Sequence, residues 1–110
     1  MAAVTTLASS TSFPIEANAT LANGTWQEFT LPTGQPGWRK VSVKVTGDAV
    51  FSWSQALSDG DSVSGTYPPI VAADGWLTFH GPQAKRQQAT SLFVAGDGAT
   101  PTCYVTCEGQ

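Results

Sequence analysis

The sequence predicts an all-β chain, an antiparallel β-sandwich or jelly roll of about seven to eight short strands. Three observations carry this. Short stretches alternate apolar and polar residues with the two-residue period of a half-buried strand. Clusters of Gly, Pro, Asp and Asn separate them at roughly 10-residue intervals. Only 12% of the residues are charged, about half the usual share of roughly 25%, and the abundant Gly, Ser, Thr and Ala suit tight turns better than a solvated helical bundle. No heptad, internal repeat or helical periodicity competes, and 110 residues suffice for one domain with a single two-layer core.

Residues 1–12 are small and polar, with Leu7 their largest apolar side chain. They read as an amino-terminal arm that is loose unless a partner holds it, leaving 13–110 as the folded domain. Phe13-Pro14-Ile15 opens that domain. Ile15, Ala17, Ala19 and Leu21 alternate with Glu16, Asn18 and Thr20, a pattern whose small residues suit an edge strand. Asn23-Gly24 is the strongest turn dipeptide in the chain. Trp26 to Leu31 supplies the next strand, with Phe29 and Leu31 facing the core, and Pro32 to Gly37 is a loop carrying two prolines and two glycines.

The segment Trp38–Gln55 carries the clearest alternation. Val41, Val43 and Val45 oppose Lys40, Ser42 and Lys44; beyond Gly47-Asp48, Phe51 and Trp53 oppose Ser52 and Ser54. Read as a hairpin, a two-residue loop would put the lysines on the aromatic face, so an odd connection of three or five residues is expected. Val45 would then face Phe51, Val43 would face Trp53, and Lys44 would face Ser52.

Ala56 to Gly65 is a long, turn-rich loop of the kind used for function or contact. Tyr67-Pro68-Pro69-Ile70-Val71 must be extended, because a residue preceding proline is pushed out of the helical region. Asp74-Gly75 turns the chain into Trp76–His80, with Leu77 and Phe79 on one face and Trp76, Thr78 and His80 on the other. Gln83–Thr90 is a polar, basic connection and the one place suited to a short helix. Ser91–Ala95 and Thr102–Glu108 are the last strands, separated by the Gly96–Pro101 loop.

Enzyme chemistry finds little support in these residues. His80 is the only histidine, no G-x-S-x-G elbow occurs, and a strand-end surface position suits His80 better than the role of a catalytic base. Asp59-Gly60-Asp61-Ser62 resembles a fragment of a calcium loop but lacks the spaced carboxylates that complete an oxygen cage. Asp48 and Asp97 on other turns would have to join it, so Asp-Gly turn geometry is the simpler reading. Cys103 and Cys107 share one strand face with Val105, roughly 13 Å apart along an extended chain, beyond the ~7 Å reach of a disulfide. They are expected to be buried thiols. The sequons at Asn18 and Asn23 carry no meaning without secretion. No catalytic residue, metal ligand or cofactor is therefore expected.

The net charge of −3 comes with singly scattered acids, which disfavours nucleic-acid binding, and no apolar run approaches the ~18 residues of a membrane span. The start of the chain lacks the basic and apolar regions of a secretory signal, so a product made and kept in the cytoplasm is expected. Interface residues are the remaining candidates. Trp26 and Trp76 fall opposite the core sets of their strands and are expected at a subunit contact, with core packing or sugar stacking as alternatives. The cations are Arg39, Lys40, Lys44, Lys85 and Arg86, three in one strand and two in one loop. They would form one basic patch if the loop lay beside the strand, serving either to dock an acidic partner or simply to face solvent.

The order of these features resembles a family of small accessory proteins of tailed-phage virions, capsid-decoration (cement) proteins among them. The residues that carry the likeness are the Thr/Ala-rich start, Asn23–Pro32, the valine strand, Ala49–Trp53, Asp59-Gly60-Asp61, Asp74-Gly75-Trp76 and Ser91–Ala95. It covers most of the chain from residue 15 onward and brings no catalytic residues. The resemblance implies a β-sandwich structural protein of the virion, made in the host cytoplasm, that binds the major capsid protein or another virion protein, commonly as a homotrimer. The alternative is a carbohydrate- or receptor-binding β-sandwich module of a phage tail or fibre that uses an exposed Trp.

Overall fold

The computed structural model describes residues 3–6, 15–31, 38–53, 65, 67–80 and 91–109. These residues form nine strands: β1 (Ala3–Thr6), β2 (Ile15–Thr20), β3 (Trp26–Thr30), β4 (Trp38–Val45), β5 (Ala49–Ser52), β6 (Pro69–Ile70), β7 (Leu77–His80), β8 (Ser91–Gly96) and β9 (Thr102–Gly109). A single 3-10 turn, Ala72–Asp74, precedes β7. The chain is all-β, in two sheets. One is antiparallel in the order β2-β9-β4-β7; the other runs β1-β3-β8-β5-β6, antiparallel except that β1 lies parallel to β3. Part of the expected arm is therefore a strand, and β3 is the partner that holds it.

Alternation sets the faces. Val41, Val43 and Val45 of β4 and Cys103, Val105 and Cys107 of β9 are buried in one cluster with Phe29 of β3 and Leu92 and Val94 of β8. The cluster joins the inner faces of both sheets. Phe51, Trp53, Leu77 and Phe79 pack against it, and the Trp53 and Phe79 rings meet edge-on with centroids 5.0 Å apart. Ala17 and Ala19 close it under β2, which lies at a sheet edge as its small residues suggest. Prolines are tolerated next to a sheet's open side, and Pro69 lies in β6 at the other sheet's edge.

The expected Trp38–Gln55 hairpin does not form. β4 pairs with β9 and β7, whereas β5 pairs with β8 and β6. Residues 46–48 cross from one sheet to the other, so Val45 does not pair with Phe51, nor Val43 with Trp53, nor Lys44 with Ser52. The phase of the alternation holds, because Val45 and Phe51 both point at the core; they approach it from opposite sheets. Three more described connections cross in the same way: residues 21–25 between β2 and β3, residues 71–76 between β6 and β7, and residues 97–101 between β8 and β9.

Backbone hydrogen bonds stitch the crossings at 21–25, 46–48 and 97–101 together. Leu21 N–H donates to the Pro101 carbonyl at 2.8 Å, Thr46 N–H to Thr102 at 3.0 Å, Asp97 N–H to Asp48 at 3.1 Å and Gly24 N–H to Gly96 at 2.9 Å. The Asn23 side chain accepts from Gly98 N–H at 2.8 Å. Gly24 adopts φ 70°, the left-handed region where a glycine costs least, which explains the Asn-Gly signal at a sheet crossing instead of a hairpin.

Candidate interaction face

The outer face of the β2-β9-β4-β7 sheet gathers most of the described candidate side chains. Register aligns them in rows across the strands. One row runs Asn18, Tyr104, Lys44 and continues to Trp76, whose ring centroid lies 5.9 Å from the Lys44 ammonium. Trp76 is 49% exposed and Tyr104 40%, the two large exposed hydrophobic side chains among the described residues. The next row is Glu16, Thr106, Ser42, Thr78, where the Ser42 and Thr78 hydroxyls share a hydrogen bond of 3.0 Å. The third places Lys40 between Glu108 and His80, with a Lys40–Glu108 ion pair of 2.9 Å.

The face is set by the same alternation that builds the core. Each residue of β9 between the buried Cys103, Val105 and Cys107 must point outward, which exposes Tyr104; each residue between the β4 valines does the same, which exposes Lys44. Trp76 reaches this face because Gly75, at φ 63°, turns the chain out of the 3-10 turn into β7. Asp74 fixes that turn by accepting the Val71 N–H at 3.0 Å.

Trp26 is not an exposed anchor. It points to the outer face of the other sheet, opposite Phe29 as expected, but that face is covered. Trp26, Val50 and Ala95 form a second buried cluster on which Tyr67 and Phe93 pack, and Tyr67 meets Trp26 edge-on at 5.0 Å. Among the basic candidates, Lys40 and Lys44 share the interaction face, and Arg39 sits at the register irregularity between Trp38 and Lys40. Lys85 and Arg86 lie outside the described residues, as do Asp59, Asp61 and the suggested helix over 83–90. Lys40 is neutralised locally by Glu108, so two of the five cations give no simple basic patch.

His80 is exposed at the end of β7. Asp48 and Asp97 lie on adjacent turns, but among the described residues no group of three or more His, Cys, Asp or Glu side chains is placed to hold a metal ion. Cys103 and Cys107 are buried and unbridged. Burial pushes the Cys103 thiol up to about 12; burial and the neighbouring Glu108 carboxylate push Cys107 to about 11. Neither is a nucleophile near neutral pH.

Sequence reasoning passed over Tyr104 and Asn18. The signal for Tyr104 was present, since it alternates with both cysteines and Val105, but its alignment with Lys44 and Trp76 depends on strands distant in the chain. Comparisons with protein-family models, curated proteins and solved structures return no match.

Proposed function

We propose that this chain is a non-enzymatic structural protein of a phage virion, most simply a decoration protein that binds the outside of the capsid shell and reinforces it. The observation that carries the reading is the strand order. Setting β1 aside, the orders β2-β9-β4-β7 and β3-β8-β5-β6 support reading the two sheets as the halves of an eight-stranded jelly roll packed as a sandwich. Viral capsid proteins and lectins both use that architecture. Fold alone does not assign a role, and the resemblance of the turn and strand pattern to virion accessory proteins supports the structural one. As a homotrimer, each copy would add weak contacts that multiply through effective concentration.

The test is co-sedimentation of the purified protein with empty shells assembled from the coat protein encoded in the same genome, alongside light scattering for its oligomeric state. Saturable attachment of a trimer, weakened by salt, is expected. A monomer that stays in the supernatant overturns the reading.

A second reading, a glycan- or receptor-binding module, is favoured by the exposed Trp76 and Tyr104 on one sheet face. It is compatible with the first where other surfaces, such as the edges and the amino-terminal strand, make the shell contacts.

A further inference from the structure

We propose that the row Asn18–Tyr104–Lys44–Trp76 is a binding platform for an acidic oligosaccharide, in which Tyr104 and Trp76 stack on sugar rings and Lys44 between them takes a sugar carboxylate. The proposal deepens the second reading above and is independent of shell attachment.

The geometry is that of a short strip across three strands. Tyr104 and Lys44 are direct cross-strand partners, and Trp76 stands beside Lys44 on the far side. The two aromatic positions are thus separated by about two strand spacings, ~9.6 Å, the length of a disaccharide unit. Asn18 extends the strip past Tyr104 with an exposed amide that both donates and accepts.

The charge of the strip selects the ligand. Among the described residues Lys40 has a carboxylate partner, Glu108, whereas Lys44 has none and rests over the Trp76 ring. A cation parked on an aromatic face is available to a carboxylate, which offers it a charge-assisted hydrogen bond. One such cation is too few for a nucleic-acid backbone, whose affinity comes from several neutralised phosphates. A protein partner is also a poorer fit. Stable protein interfaces have a desolvated apolar centre built from many packed residues, while here, among the described residues, the exposed large apolar side chains are Trp76 and Tyr104 alone, with the row Glu16, Thr106, Ser42, Thr78 beside them. Sugars suit the arrangement: their apolar C–H faces stack on single aromatic rings and their hydroxyls hydrogen-bond to the polar side chains beside them.

The test uses the purified full-length chain, titrated calorimetrically with oligogalacturonate, alginate and hyaluronan fragments and sialyllactose, against uncharged cello-, malto- and chito-oligosaccharides. Saturable binding of at least one carboxylated member is expected, with Trp76→Ala and Tyr104→Ala each weakening it about tenfold or more. Lys44→Gln is expected to abolish the preference for the acidic sugar while leaving neutral-sugar binding unchanged. Thr30→Ala, on the other sheet, serves as control and changes nothing; circular dichroism verifies folding of each variant. Failure of every carboxylated sugar to bind overturns the proposal, as does binding that is indifferent to Trp76→Ala and Lys44→Gln. Equal binding of neutral and acidic sugars, unaltered in Lys44→Gln, overturns the assignment of the ligand as acidic. Shell co-sedimentation is a separate measurement, so its failure and failure here are told apart.

Discussion

Replacing Trp26 with alanine removes the centre of the second buried cluster, on the outer face of the five-stranded sheet. The ring is completely buried, its cross-strand partner is Ala95, Val50 adjoins Ala95 from the other side, and Tyr67 stands edge-on above it. An aromatic of this size buries ~200 Å², which at about 25 cal/mol per Å² sets an upper figure near 5 kcal/mol. Measured costs of Trp or Phe truncation in cores run about 3–5 kcal/mol. A loss of about 4 kcal/mol is expected, a large part of the ~5–15 kcal/mol that holds a domain together. In urea, with a slope of roughly 2 kcal/mol/M, the midpoint should fall by about 2 M; the melting temperature should fall by roughly 15–25 °C. Tyr67→Ala should cost less, and the double-mutant cycle between the two should return a coupling of about 0.5–1.5 kcal/mol from the ring contact. A Trp26→Ala loss under about 1 kcal/mol, the range of a surface substitution, would refute the covered-face reading and return Trp26 to the list of surface anchors.

Four other outcomes are expected. With their pKa values raised by burial to about 12 and 11, Cys103 and Cys107 should resist alkylation at pH 8 in the native protein and react in denaturant; prompt labelling of the folded chain would show that they are accessible. Because both folded-state values lie above the ordinary 9.0, the native state holds protons that the unfolded chain releases. The thiols' contribution to stability is thus fully present below about pH 9 and should be lost above it by up to about 1.4 kcal/mol per pH unit per thiol, a slope that Cys103→Ala should reduce in urea titrations from pH 8 to 11. Gly96→Ala should unfold the protein or cost several kcal/mol, since an added Cβ would lie 2.2 Å from the Ala99 carbonyl and 3.0 Å from that of Ala22; near-native stability would contradict the tight crossing there. Deleting residues 1–6 should leave the fold intact by circular dichroism but open the edge of β3, so self-association should rise in light scattering; unchanged amide exchange along β3 would speak against its pairing with β1.

Much of this molecule follows from local rules. The period-two pattern fixed which residues of β2, β4, β7, β8 and β9 face inward, because successive side chains on a strand must point to opposite sides. It also placed Trp53 with the core, the two cysteines together inside and His80 at an exposed strand end. Asn23-Gly24 and Asp74-Gly75 marked real turns, since positive φ is a property of single residues.

Partner choice lay beyond those rules. A three-residue connection between two alternating segments serves a hairpin or a crossing between sheets with the same phase, and only long-range hydrogen bonds from β8 and β9 decide that Gly47-Asp48 is a crossing. The same remoteness concealed the fate of Trp26, correctly assigned to the outer side of its strand but covered by Tyr67, some forty residues later. It also concealed the aromatic row. Asn18, Lys44, Trp76 and Tyr104 each sit at an outward position legible from their own strands, but their alignment is a product of register. Register is set by the apolar faces that the two sheets bury against each other, an interaction no single stretch of sequence contains.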